Sequence, residues 1–178
     1  FGANSVALLT STGLNITTNI TANPIVWTSL GQPAAGSLTA CGVWSSVTGG
    51  ATTFFLQAGQ CTGAGNDSVW SYAGTLAGGT WTRIDNTDGI TGGFGVFGAD
   101  PNNPNRLYAS NLAAAGPRMV FSTDGGTTWD LDPELDTLMT AGGVFAYQNQ
   151  RGPRTNRGGA GVVFSGYPQP SMVAYDPE

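Results

Sequence analysis

Four short strand-like runs return in the same order along this chain, and that recurrence constrains the fold more than any single residue does. Trp27, Trp81 and Trp129 stand 54 and 48 residues apart. Each follows a polar, turn-rich stretch and precedes a short run: Thr28-Ser29-Leu30, Thr82-Arg83-Ile84 and Asp130-Leu131. A Gly/Ala-rich echo opens each unit as Thr39-Ala40-Cys41-Gly42-Val43-Trp44, Thr91-Gly92-Gly93-Phe94-Gly95-Val96-Phe97 and Thr140-Ala141-Gly142-Gly143-Val144-Phe145. A third echo is Phe54-Phe55-Leu56-Gln57, Leu107-Tyr108-Ala109-Ser110 and Val162-Val163-Phe164-Ser165. The fourth is Val6-Ala7-Leu8, Val69-Trp70-Ser71, Val120-Phe121-Ser122 and Val173-Ala174-Tyr175.

A repeat of this length holding four strands is the signature of a β-propeller blade. With strands labelled a to d outward, the chain reads c-d, a-b-c-d, a-b-c-d, a-b-c. Strand a is expected near 39–47, 91–98 and 140–147, and strand d near each Trp. The expected fold is all-β: a propeller segment of four-stranded antiparallel blades, two complete and two partial, forming part of a larger propeller. Residues 1–30 form a partial blade of outer strands, 31–85 a blade, 86–132 a second blade, and 133–178 a partial blade of inner strands. A ring of three is excluded, because each blade would have to turn about 120°, far beyond ordinary sheet twist. The missing partners are the remainder of the propeller or other copies of the chain.

The run Ser122-Thr123-Asp124-Gly125-Gly126-Thr127-Thr128-Trp129 joins two of these strands. Asp124 can accept hydrogen bonds from the amides of its own turn, and the two glycines can take positive φ. Thr128-Trp129 restarts an extended strand, whose indole is expected to bury against the neighbouring sheet. The residues thus have a structural purpose without any chemistry.

Twenty-eight glycines, ten prolines and no lysine or histidine leave few helix formers, and almost no helix is expected. The net charge of −5 gives no footprint for nucleic acid. Neither a basic amphipathic stretch nor a long apolar run suggests membrane insertion. An N-terminal Phe implies that a preceding segment was removed. Without His there is no His-based triad or His metal site, and the glycine clusters are not followed by a helix that would cradle phosphate. No cofactor and no metal are implied.

If the a and b strands of the first full blade turn near Thr48-Gly49-Gly50-Ala51-Thr52, Cys41 and Cys61 fall almost opposite each other, and a disulfide is expected. Asn15, Asn19 and Asn66 head Asn-x-Ser/Thr sequons and are candidate glycosylation sites. Both features favour a secreted or cell-surface protein.

The 122–129 run resembles an Asp-box, matching its five defining positions at Ser122, Asp124, Gly126, Thr128 and Trp129. With the repeat length and the segment Asp100-Pro101-Asn102-Asn103-Pro104-Asn105-Arg106-Leu107-Tyr108, the chain resembles the Asp-box (BNR) repeat propellers. Those include sialidases, xyloglucan-active glycoside hydrolases and sortilin-type receptors. Around Trp81 only Gly79-Thr80-Trp81 of the box remains, and around Trp27 none does. The resemblance implies that the box sits on the c–d turn, on the face away from an active site.

It does not carry catalysis over. Sialidases hold their substrate with three arginines from different blades, whereas Arg151, Arg154 and Arg157 share one loop of this chain. That loop either is a solvated surface or binds a carboxylate, sulfate or acidic partner bidentately. Asp132, Glu134 and Asp136 in one d–a connection, and Asp85 and Asp88 in the one before, emerge where propeller enzymes place their chemistry. Two such carboxylates from neighbouring blades can reach the separation a glycosidase needs, and solvated loop acids are the alternative. Three functions follow: a structural or recognition module for a glycan or protein, a segment of a glycoside hydrolase, and a surface-assembly subunit completed by strand addition.

Overall fold

A computed structural model describes residues 3–10, 12–33, 39–59, 68–74, 78–87, 94–111 and 118–135. These residues form three consecutive antiparallel meanders. The first contains β1 (Val6–Thr10), β2 (Gly13–Thr17) and β3 (Thr28–Gly31). The second contains β4 (Thr39–Thr48), β5 (Ala51–Gly59), β6 (Ser68–Ala73) and β7 (Thr80–Arg83). The third contains β8 (Phe94–Asp100), β9 (Asn103–Asn111), β10 (Arg118–Ser122) and β11 (Asp130–Leu131). Among the described residues the one helical stretch is residues 133–135. The fold is all-β, and the four-strand order expected for residues 39–83 and 94–131 is present.

The expected turn between the first a and b strands is also present. Thr48 pairs with Ala51, leaving Gly49 and Gly50 as a two-residue hairpin loop with φ of 58° and 82°. Positive φ at both central positions matches the twist of the flanking strands, and glycine adopts it without a Cβ clash.

The first sheet differs from expectation. The Val6 strand was expected to sit beside the outermost strand, but Gly13–Thr17 occupies that place, pairing with β3 on one side and β1 on the other. Val6–Thr10 therefore holds the position of β5 and β9, and the first sheet has three strands. The cause is local. Leu14 and Ile16 alternate with Asn15 in a half-buried strand pattern, and the pairing of Thr10 with Gly13 brings β1 back alongside β2.

The sheets stack face to face, and strand alternation decides which neighbour each side chain meets. On β5, Phe54 packs with Leu14, Ile16 and Leu30 of the first sheet, while Phe55 packs with Phe94, Phe97 and Leu107 of the third. Both Phe side chains are fully buried. Trp44 and Phe55 meet Phe97 at centroid distances of 5.1 and 5.7 Å. Hairpin ends also dock on one another, since the Val47 amide donates to the Pro101 carbonyl at 2.8 Å and the Thr48 hydroxyl to the Asn102 carbonyl at 2.7 Å.

Candidate functional site

The 122–129 turn is held by a closed set of hydrogen bonds. The Ser122 hydroxyl donates to Asp124 Oδ1 at 2.8 Å and accepts from the Gly126 amide at 2.8 Å. Asp124 Oδ1 accepts from the Thr128 amide at 2.9 Å, and Oδ2 from the Thr128 hydroxyl at 2.7 Å. The Thr128 amide and then its hydroxyl hold the Asp124 carboxyl down at about 2, assisted by Ser122 and Thr127 and opposed by desolvation. A carboxylate so committed has no proton to exchange near neutral pH.

This turn clamps the third sheet to the second. The Trp129 indole donates to the Ile84 carbonyl at 2.9 Å, and its ring meets Phe94 edge-on at 4.8 Å. The Thr87 hydroxyl donates to the Gly126 carbonyl at 2.6 Å. Gly126, at φ of 90°, lies so close to Ile84 that an added Cβ would come within 2.8 Å of the Ile84 Cβ. Glycine is thus required twice, for its φ and for close approach.

The same clamp recurs one sheet earlier. Trp81 donates its indole N–H to the Leu30 carbonyl at 3.0 Å and meets Tyr72 edge-on at 5.1 Å. Leu30 follows Trp27 by three residues, and Ile84 follows Trp81 by three. Trp81 and Trp129 therefore each staple their sheet to the equivalent carbonyl of the preceding one. The sequence spacing marked these residues, but the rule connecting them emerged only from the packing.

Between Ile84 and Thr87, which meet the 122–129 turn, Asp85 is buried and fully engaged. Its Oδ1 accepts from the Val69 amide and Arg83 Nε, each at 2.9 Å, and Oδ2 accepts from an Arg83 terminal nitrogen at 2.9 Å. This hydrogen bonding raises the Arg83 pKa, against desolvation. The Arg83 guanidinium lies 6.0 Å from the Trp70 ring centroid. The geometry makes Asp85 an anchor that ties β6 to the end of β7, a role the Arg-x-Asp spacing could have signalled.

Asp132 accepts from the Leu135 amide at 2.8 Å and from the Tyr108 hydroxyl at 3.3 Å. Desolvation, then the charge of Asp132 and its hydrogen bond, raise the Tyr108 pKa. These effects favour the protonated phenol, which donates to Asp132. Glu134 is exposed. Asp100 caps the β8–β9 turn through the Asn102 and Asn103 amides at 2.8 and 3.1 Å, with Arg106 3.6 Å away. Asp88, Asp136, Arg151, Arg154, Arg157, Cys61 and Asn66 lie outside the described residues. Cys41 is the extra residue of a bulge in β4, between Ala40, which pairs with Ala58, and Gly42, which pairs with Gln57. Among the described residues, no three His, Cys, Asp or Glu side chains are grouped to hold a metal ion. No helix among them is long and apolar enough to cross a membrane.

The two other sequon asparagines have different surroundings. Asn15 lies in mid-strand, its Nδ2 donating to the Thr10 hydroxyl at 3.0 Å and the Gly13 carbonyl at 3.3 Å. Asn19 is exposed in the turn after β2, where its Oδ1 accepts from the Thr21 amide at 3.1 Å and the Thr21 hydroxyl at 2.7 Å.

The chain is similar to a xyloglucanase of Hypocrea jecorina (strain QM6a), with 41% identity over 66 residues. That stretch covers 35% of this chain and 8% of the xyloglucanase, so the chain corresponds to a small part of that protein's length. No family model and no solved structure matches the chain.

Proposed function

We propose that the chain is a run of Asp-box β-propeller blades from a secreted, glycoside hydrolase-related protein, working as a rigid scaffold that presents loops to a glucan. The similarity to a xyloglucanase carries this reading. Stacked meanders clamped at the 122–129 turn support it, because their hydrogen bonds serve architecture and leave ligand contact to the loops at the other end. Xyloglucan is the ligand class the similarity favours. Asp85 and Asp124 are committed to structure, which leaves Asp88, Asp132, Glu134 and Asp136 as this chain's candidate catalytic carboxylates.

The test is affinity electrophoresis of the chain through native gels containing xyloglucan, cellulose-derived β-glucan or mannan. Retardation by xyloglucan alone is the expected result. Unchanged mobility in all three gels, by the chain and by a longer polypeptide containing it, removes the glucan-recognition reading and leaves the scaffold.

A further inference from the structure

We infer that the outward face of the first sheet is a docking surface for one further antiparallel meander of the same repeat, lying upstream of β1 in the polypeptide. The inference rests on the two sheet interfaces and holds whether or not the ligand is a glucan.

Register supplies the argument. In the second sheet, Phe54 pairs with Tyr72 and Tyr72 with Trp81. In the third, Leu107 pairs with Ser122, and one further step past Phe121↔Asp130 brings Ser122 opposite Trp129. In the first, Val6 pairs with Thr17, and one step past Ile16↔Thr28 brings Thr17 opposite Trp27. Val6 is thus the equivalent of Phe54 and Leu107, and Leu8 that of Leu56 and Ala109. The four equivalents in the second and third sheets are each 2% exposed or less. Val6 and Leu8 are 36% and 49% exposed, and Trp27 is 40% exposed against 6% for Trp129.

The same positions are therefore covered in two sheets and bare in the first. What covers them in both cases is the sheet that comes just before in the chain, through the carbonyl three residues beyond its own tryptophan. Trp27 makes no such bond among the described residues. In both interfaces the covering sheet precedes the covered one in the chain, so a meander in residues 133–178, which follow the first sheet, does not reproduce the acceptor position. An upstream meander carrying its own outer-strand tryptophan does. Its carbonyl would accept from the Trp27 indole, and its inner face would bury Val6 and Leu8.

Hydroxyl-radical footprinting with residue-level mass spectrometry tests this on the 178-residue chain and on the polypeptide extended naturally through the preceding meander. In the 178-residue chain Trp27 should label several-fold faster than Trp129. In the extended polypeptide its rate should fall to that of Trp129. Leu8→Glu should lower the melting temperature of the extended polypeptide and leave that of the 178-residue chain unchanged. Equal Trp27 labelling in both polypeptides overturns the inference, as does an upstream reading frame without such a meander. Concentration-dependent protection of Trp27 in the 178-residue chain overturns the assignment of an upstream meander in favour of a second copy.

Discussion

Replacing each outer-strand tryptophan by phenylalanine, one at a time, should produce a graded loss of stability. Trp129→Phe keeps an aromatic ring against Phe94 but removes the indole N–H that satisfies the Ile84 carbonyl at 2.9 Å. The site is 6% exposed, so water cannot replace the lost donor. The unsatisfied carbonyl costs about 1–2 kcal/mol, and the smaller ring leaves part of the Trp volume empty for about 1 kcal/mol more. The expected total is about 2–3 kcal/mol, or a Tm fall of about 5–10 °C for a chain of this size. Trp81→Phe breaks the matching bond to Leu30 at a half-buried site, where partial solvation of the acceptor reduces the cost to about 1–2 kcal/mol. Trp27→Phe removes a donor with no partner among the described residues, at a 40% exposed position, and should stay within about 0.5 kcal/mol of the parent. Urea denaturation followed by far-UV circular dichroism measures all three. A Trp27→Phe loss as large as that of Trp129→Phe, or a neutral Trp129→Phe, would refute the inter-sheet staple.

Further outcomes are expected at four places in the chain. Asp124→Ala removes the acceptor for Thr128 at an exposed turn and should cost about 1 kcal/mol after allowance for solvent; calorimetry checks it. Because the folded pKa of Asp124 is lowered from 3.8 to about 2, its stabilisation is complete above the unfolded value and disappears as pH falls from there through about 2, a pH dependence that Asp124→Ala should lack. Asp85→Ala leaves the buried Val69 amide without its acceptor and should cost about 1–3 kcal/mol, with Arg83→Ala milder because that side chain is 43% exposed; urea titration of both variants decides. If the chain passes through a eukaryotic secretory route, peptide mapping should find a glycan on Asn19 and none on Asn15, whose amide is tied into β2, and Asn19→Gln should abolish it. Intact mass with and without reductant should reveal a Cys41–Cys61 bridge, and two free thiols under denaturing, non-reducing conditions would exclude it.

Much of the architecture is legible because its signals are local. Gly49-Gly50 demands a two-residue hairpin, Trp spacing marks the outer strands, and the Ser122 to Trp129 run specifies its own hydrogen bonds. The β2 strand stands outside the four recurring runs, although Leu14 and Ile16 carry the alternation that marks a half-buried strand. The tryptophan-to-carbonyl rule was not legible at all. It joins Trp81 to Leu30 and Trp129 to Ile84 across 51 and 45 residues, and no local pattern announces a backbone acceptor on another sheet. The place of the acids in the connections does not show that Arg83 and the Val69 amide occupy both oxygens of Asp85.

The most direct test of the account is hydrogen exchange of the tryptophan indole N–H groups, followed by proton–nitrogen correlation spectra of the labelled chain. Stacked, stapled sheets require the Trp129 indole to exchange slowest, with Trp81 next, and the Trp27 indole to exchange within the dead time. Fast exchange at Trp129, or protection of Trp27 equal to that of Trp129 in the dilute chain, would contradict it.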